Sequence, residues 1–218
     1  MMAWEAGLGA LMATALAAVP APPRYLALGD SYTIGEGVAE SERWPVQLAR
    51  ALWGAGVNIA EPEIIARTGW TTDELDTAIT ARAPRGPYAV VTLLIGVNNQ
   101  YRRRSADEFR AQLRALVARA IGFAGGDARR VIVVSIPDWG VTPFNTRREP
   151  AAVAREIDAF NAVNRDEAQR AGAHWVDITD LTRASPRDVA GDGLHPSAAM
   201  YARWVARIAP VARAATRK

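Results

Sequence analysis

The sequence predicts an α/β fold in which a parallel sheet is covered by helices on both faces. From Arg24 onward, short apolar runs alternate with longer amphipathic stretches about five times along the 218 residues. Two of the short runs, 88–95 and 131–136, are nearly continuous in Val, Leu and Ile, which is typical of strands buried on both faces. A repeated alternation of strand and helix is the pattern of a parallel sheet.

Local signals place each element in order. The first strand runs into a Gly-Asp-Ser turn, and Pro137 closes the fourth strand. Thr71 and Ser105 each begin a Thr/Ser-x-x-Glu capping box, so a helix should follow each of them. The predicted strands are Tyr25–Leu28, Glu63–Ala66, Tyr88–Ile95, Val131–Ile136 and His174–Ile178. The predicted helices are Trp44–Trp53, a segment from Thr71 to about Arg82, one from Ser105 to near Gly125, Pro150–Ala171 and Ser197–Arg213.

Composition excludes several classes of function. The net charge is only +3 and the basic residues are scattered, so no nucleic-acid interface is expected. The one dense run, Arg102-Arg103-Arg104, is either a solvated segment or a contact for an anionic substrate group. The absence of cysteine excludes disulfides, thiolate metal sites and a cysteine nucleophile. Phosphate-loop and dinucleotide motifs are missing and no His or carboxylate cluster has metal spacing, so we expect no metal and no cofactor.

The first 23 residues form an apolar segment that precedes a single expected domain, 24–218. The run 6–19 is Ala-rich, but it follows Glu5 and no basic residue, so it is either a secretory signal peptide or a leading helix. It is short for a bilayer span, and no integral membrane segment is expected. A cytoplasmic location is favoured over a periplasmic or secreted one, and the sequence leaves the oligomeric state open.

Residues that follow the predicted strands carry the chemistry, because ligand sites in such sheets lie beyond the carboxyl ends of the strands. Ser31 follows the first strand, and a serine hydroxyl needs an adjacent base, usually histidine, to act as a nucleophile. Of the two histidines, His174 lies within a predicted strand and is expected to be structural. His195 lies in a loop three residues after Asp192, a spacing that can orient the imidazole or simply let Asp192 cap the backbone.

Donors for a developing oxyanion follow other strands. Gly69 can offer its backbone N–H closely, Asn98 can donate from its side chain, and the N–H of Ser31 is a third donor. The alternatives are that Gly69 is a turn residue and Asn98 forms an Asx-turn at a strand end.

These motifs together resemble the SGNH hydrolases, also called the GDSL family, from Tyr25 to about Tyr201. The matching blocks are Gly29-Asp30-Ser31-Tyr32-Thr33-Ile34-Gly35, the glycine Gly69, Gly96-Val97-Asn98-Asn99, and Asp192 to Pro196. The resemblance implies a three-layer, flavodoxin-like α/β/α sandwich with about five parallel strands. It also implies a Ser31-His195-Asp192 triad and an oxyanion hole made by Ser31, Gly69 and Asn98. Asn99 departs from the family, which commonly has Asp there.

The sequence therefore predicts a serine hydrolase that cleaves the carboxylic acyl ester of a small-molecule substrate and resembles a lysophospholipase, thioesterase or arylesterase. The alternatives are a carbohydrate O-acetylesterase, a non-catalytic binding module on the same fold and, less favoured, a flavodoxin-like nucleotide or regulator domain. Aromatic residues in the loops beyond the strands either line a substrate pocket or cover the sheet edge. They are Tyr32, Trp70, Tyr101, Trp139 and Phe144, and the stretch 137–149 could act as a lid.

Overall fold

The computed structural model of the chain describes residues 21–216, and within them the sheet has five strands, all parallel. The strands are β1 (Tyr25–Gly29), β2 (Pro62–Ala66), β3 (Val90–Leu94), β4 (Val131–Val134) and β5 (His174–Val176). They pair in the order β2-β1-β3-β4-β5. The predicted parallel α/β sheet of about five strands is therefore confirmed. Every residue of the central strands β1, β3 and β4 is buried, as their apolar sequences require.

Two groups of helices cover the two faces of the sheet. The helices are α1 (Ser31–Ile34), α2 (Trp44–Gly54), α3 (Thr72–Arg82), α4 (Val97–Tyr101), α5 (Ala106–Phe123), α6 (Pro150–Arg170), α7 (Thr179–Ala184) and α8 (Ala198–Ala215). Helix α2 packs against α8 in one layer, and α5 packs against α3 and α6 in the other. Fully buried Trp44 and Trp204 fill the first layer, while the rings of Phe109 and Phe160 stack 4.7 Å apart in the second.

The apolar runs extend further than the strands they contain. We predicted that the last two strands end at Ile136 and Ile178, but β4 ends at Val134 and β5 ends at Val176. Both isoleucines are fully buried, so the apolar pattern marks burial rather than pairing in the ladder. The three short helices α1, α4 and α7 were not predicted, because four to six residues are too few to show a helical period.

Most of the predicted N-terminal segment, residues 1–23, lies outside the described residues, which begin at residue 21. None of the helices within residues 21–216 combines the length and the apolar composition that crossing a membrane requires.

Candidate active site

Ser31 is held at the carboxyl edge of the sheet by the turn between β1 and α1. Gly29, the last residue of β1, has no room for a side chain, because a Cβ there would collide with the hydroxyl of Thr33. The side-chain carboxyl group of Asp30 caps α1 by accepting a hydrogen bond from the N–H of Tyr32 at 3.0 Å. Ser31 is therefore the first residue of α1 and is only 5% exposed.

Asp192 and His195 form a closed pair in the loop that precedes α8. Oδ2 of Asp192 lies 2.6 Å from Nδ1 of His195. Oδ1 accepts hydrogen bonds from the N–H groups of Leu194 at 2.9 Å and of His195 at 3.0 Å. The carbonyl of His195 in turn accepts a hydrogen bond from the N–H of Ala190 at 2.7 Å. The carboxylate therefore both fixes the loop and orients the imidazole, which combines the two roles that the spacing allowed.

The hydrogen bonds of Asp192 keep it ionised. Burial by itself would raise the pKa of this carboxyl group, because it disfavours the charged form. The hydrogen bonds from the His195 ring and from the N–H groups of Leu194 and His195 outweigh burial and hold the pKa below its ordinary value. A fixed negative charge therefore lies beside the imidazole at neutral pH.

Gly69 and Asn98 reach the same region from the ends of β2 and β3. Gly69 has a φ of +87°, a backbone conformation that favours glycine. Asn98 lies in the first turn of α4, and its Nδ2 donates a hydrogen bond to the carbonyl of Trp70 at 2.9 Å. This bond anchors the amide and uses one of its two hydrogens, so the other is left for a further acceptor.

A cavity of about 170 Å³ joins these residues at the carboxyl edge of the sheet. Ser31, Gly69, Asn98 and His195 all line it, together with four of the predicted aromatic residues, Tyr32, Tyr101, Trp139 and Phe144. The ring of Tyr32 meets the His195 imidazole edge-on at 5.6 Å. Three lining residues were not predicted, although each directly precedes a predicted one in the sequence: Thr68, Val97 and Leu194.

Two residues considered at the sequence level lie elsewhere. Trp70 does not line the cavity; its half-buried side chain packs against the hydrophobic core. His174 is half-buried on the edge strand β5 and is likewise absent from the cavity wall. Among residues 21–216, no three His, Asp or Glu side chains are grouped closely enough to hold a metal ion.

The sequence profile of the GDSL-like lipase/acylhydrolase family matches residues 27–203, most of the described chain. The chain belongs to this family. No curated protein matches the sequence of this GDSL-like protein.

Solved structures similar to this GDSL-like protein share its fold at low sequence identity. TesA superposes with a TM-score of 0.70 at 18% identity, covering 88% of this chain and 99% of its own. A lipase/acylhydrolase from Enterococcus faecalis superposes with a TM-score of 0.66 at 20% identity, covering 88% of this chain and 96% of its own. Phospholipase A1 from Streptomyces albidoflavus NA297 superposes with a TM-score of 0.64 at 20% identity, covering 89% of this chain and 99% of its own.

Asn99, the departure from the family pattern, is fully buried in this GDSL-like protein, and its side-chain amide forms hydrogen bonds with Thr72. Its Oδ1 accepts a hydrogen bond from the Thr72 N–H at 3.1 Å, and its Nδ2 donates to the Thr72 hydroxyl at 2.7 Å. That hydroxyl donates in turn to the side-chain carbonyl of Gln112. An amide fits here because it both accepts and donates, whereas an ionised Asp only accepts.

The loop 137–149 of this GDSL-like protein, which the sequence suggested as a lid, is braced by hydrogen bonds. The buried carboxylate of Asp138 accepts from the N–H of Gly140 at 2.9 Å and from Nε of Arg183 at 2.8 Å. The N–H of Phe144 donates to the carbonyl of Gly193 at 3.0 Å, which ties this loop to the one that carries Asp192 and His195.

Proposed function

We propose that the chain is a serine hydrolase that cleaves carboxylic acyl esters. Ser31 is the nucleophile, His195 the general base and Asp192 the residue that orients the base. The observation that carries this proposal is the 2.6 Å pair of Asp192 and His195 beside a cavity that both His195 and Ser31 line. A serine, a histidine and a carboxylate with these relations can generate a nucleophile at neutral pH.

The reaction follows the chemistry of the three groups. His195 takes the proton of the Ser31 hydroxyl as its oxygen attacks the ester carbonyl, and Asp192 stabilises the imidazolium that forms. His195 then gives the proton to the leaving alcohol, which leaves an acyl ester on Ser31. Water attacks this ester with the same assistance and releases the acid. Within the described residues no hydrogen bond joins Ser31 to His195, a contact that commonly tightens only when substrate is bound.

The negative oxygen of the tetrahedral intermediate needs donors that are already in place. The N–H groups of Ser31 and Gly69 and the remaining amide hydrogen of Asn98 supply them in this proposal. The anchor of Asn98 on the carbonyl of Trp70 supports it, because a donor fixed before the reaction has no reorganisation cost at the transition state.

The wall of the cavity favours an apolar acyl or aryl group next to the ester. Tyr32, Tyr101, Trp139 and Phe144 contribute aromatic surface, and Val97 and Leu194 add aliphatic surface. A lipid-like acyl ester or an aryl ester fits this lining better than the acetyl group of a carbohydrate.

Hydrolysis of p-nitrophenyl esters from acetate to decanoate, with Ser31→Ala beside the wild type, tests the proposal. We expect the variant to lose at least about 10³-fold in kcat, as nucleophile loss does in other triads. Ser41→Ala, at an exposed position, is the matched control. Near-normal turnover by Ser31→Ala would refute the assignment. An optimum at acetate would instead favour an O-acetylesterase, and failure of the wild type to react with esters or with a fluorophosphonate probe would favour a binding module.

A further inference from the structure

A second, larger cavity adjoins the candidate active site across an aromatic wall. It measures about 550 Å³ and shares Tyr101, Trp139 and Phe144 with the first cavity. Tyr101 and Phe144 meet the ring of Trp139 edge-on, at 5.3 Å and 6.2 Å. A substrate whose ester lies at Ser31 would therefore reach the second cavity by passing these three rings.

The arginine run 102–104 divides between two environments, and only its middle residue lines the second cavity. Arg102 donates to the carbonyl of Gly69 at 2.6 Å and pairs with Glu74 at 3.2 Å. Arg104 pairs with two acidic residues, Asp73 at 2.7 Å and Glu108 at 3.3 Å. Two of the three charges are thus neutralised on the side of α3.

Arg103 is the member of the run that stays unpaired. It lines the second cavity and has no carboxylate partner among residues 21–216. Its φ of +57° belongs to the C-terminal cap of α4, in which the N–H groups of Arg103 and Arg104 donate to the carbonyls of Gln100 and Asn99, each at 2.9 Å.

Two further arginines of the loop 137–149, Arg147 and Arg148, line the same cavity. Arg148 is fixed by Glu156, whose carboxylate lies 2.5 Å away, and its guanidinium lies 5.8 Å from the centre of the Trp139 ring. Arg147 makes no ion pair within the described residues. The lining residues include no carboxylate. Glu156, the ion-pair partner of Arg148, is also stabilised by the charge of Arg103, so three guanidinium groups face one nearby carboxylate and the cavity is cationic.

We propose that this cavity binds an anionic group, a phosphate or carboxylate, carried by the ester substrate itself. The inference rests on the proposed ester hydrolase function and names its substrate class as anionic acyl esters. Arginine suits this role because its planar guanidinium donates two parallel hydrogen bonds to such groups. The aromatic wall would hold the apolar part of the substrate between the scissile ester and the charge.

The test compares substrate pairs that differ only in charge, below their critical micelle concentrations. One pair is an acylglycerol phosphate and the acylglycerol with the same short acyl chain. The other is the mono-p-nitrophenyl ester of a dicarboxylic acid and the ester of the monocarboxylic acid of equal length. We expect the wild type to prefer the anionic member of at least one pair in kcat/KM. The preference should fall at least about tenfold in R103G/R147A, because two charge-assisted contacts are lost.

The variants are chosen so that folding does not confuse the outcome. Arg103→Gly removes the charge and also suits a φ of +57°. The control R82A/R129A removes the same charge from exposed positions at the opposite edge of the sheet, where Arg82 ends α3 and Arg129 lies two residues before β4, and it should keep the wild-type preference. Equal rates on both members of both pairs, or a preference that survives in R103G/R147A, would overturn the proposal. Equal hydrolysis by Ser31→Ala and the wild type would instead overturn the hydrolase function on which it rests.

Direct binding distinguishes a substrate-borne anion from a free one. Calorimetry should show that decyl phosphate binds to Ser31→Ala at least about tenfold more tightly than to the triple variant S31A/R103G/R147A. Inorganic phosphate alone should bind far more weakly than decyl phosphate. Equal affinity for the two ligands would indicate a site for free phosphate and would overturn the substrate-borne assignment.

Discussion

Oδ2 of Asp192 lies 2.6 Å from Nδ1 of His195, and the other oxygen of the same carboxylate accepts hydrogen bonds from two backbone N–H groups of the same loop. An amide in place of the carboxylate keeps an oxygen for the backbone but loses the charge beside the ring. We therefore expect Asp192→Asn to fold normally and to lose about 10³- to 10⁴-fold in kcat on p-nitrophenyl esters. Thermal unfolding of the variant checks the fold. Turnover within a few-fold of the wild type would show that Asp192 only closes the loop.

Asn98 offers a second test of the proposed chemistry, because its amide is anchored on the carbonyl of Trp70. We expect Asn98→Ala to lower kcat by about 10²- to 10³-fold with little change in KM, since the donor acts mainly on the transition state. Asn98→Asp keeps the size of the side chain but puts negative charge near the oxyanion, so its kcat should fall at least as far. A large rise in KM with unchanged kcat would place Asn98 in ground-state binding instead.

The sequence predicted the fold well because the elements that build it are long and strongly patterned. The buried strands are continuous apolar runs, and Thr71 and Ser105 mark helix starts by local chemistry. The structure also brings Ser31, Gly69, Asn98 and His195 to one cavity, because all four follow parallel strands whose carboxyl ends share an edge.

Side-chain direction in the loops could not be read in the same way. Trp70 and Gly69 are neighbours in the sequence, yet Gly69 lines the cavity and Trp70 packs against the core. The run 102–104 reads as three equivalent charges, but the backbone turn at Arg103 separates it from its two neighbours. Such differences depend on φ and on partners from distant segments, such as Glu74, that carry no local signal.

Trp139 separates the two cavities, and its indole N–H donates to the side-chain carbonyl of Gln100 at 2.8 Å. Removing the ring should enlarge the candidate site, so we expect Trp139→Ala to shift the preferred acyl chain of p-nitrophenyl esters to greater length. Trp139→Phe keeps most of the ring and should shift the preference less. An unchanged chain-length profile in Trp139→Ala would remove this residue from the substrate pocket. The alanine variant should also lose about 3 kcal/mol of stability.

Glu167 stabilises the contact between α5 and α6. Its side chain is only 1% exposed and pairs with Arg110, Arg114 and Arg170. The hydrogen bond from Arg114 is the largest favourable effect, and together with the other two arginines it outweighs burial and lowers the pKa of Glu167 to about 2. A carboxyl group with a lowered pKa stabilises the fold at pH values above its ordinary pKa near 4.5, and this contribution is lost as the pH falls toward 2.

We therefore expect Glu167→Gln to lower the free energy of unfolding at pH 7 by about 2 kcal/mol, the value of hydrogen bonds to a charged group. Urea unfolding at pH 7 and pH 3 should show a smaller difference at pH 3. Glu40→Gln is the matched control: Glu40 is 85% exposed and pairs with Arg43, so its loss should change stability by no more than about 0.5 kcal/mol. Equal effects of the two substitutions would contradict a special role for Glu167.

Asp30 destabilises the fold when it is ionised. It is fully buried, and its Oδ2 has no hydrogen-bond partner within the described residues. Burial raises the pKa of Asp30 to about 7, although the hydrogen bond from the Tyr32 N–H opposes the shift. Between about pH 4 and pH 7 the unfolded chain releases this proton while the folded protein keeps it. The free energy of unfolding therefore falls as the pH rises through this window, by about 1.4 kcal/mol per pH unit for one proton.

Asp30→Asn removes this titration but keeps an oxygen to accept from the Tyr32 N–H. The stability of the variant relative to the wild type should rise by roughly 2 kcal/mol between pH 5 and pH 7, measured by urea unfolding at each pH. Asp30→Ala should show the same loss of pH dependence at lower stability throughout, because alanine cannot cap α1. If the free energies of unfolding of the wild type and Asp30→Asn changed with pH in parallel, Asp30 would be ionised in the folded protein across this range. A buried water or a neighbouring donor would then have to satisfy Oδ2.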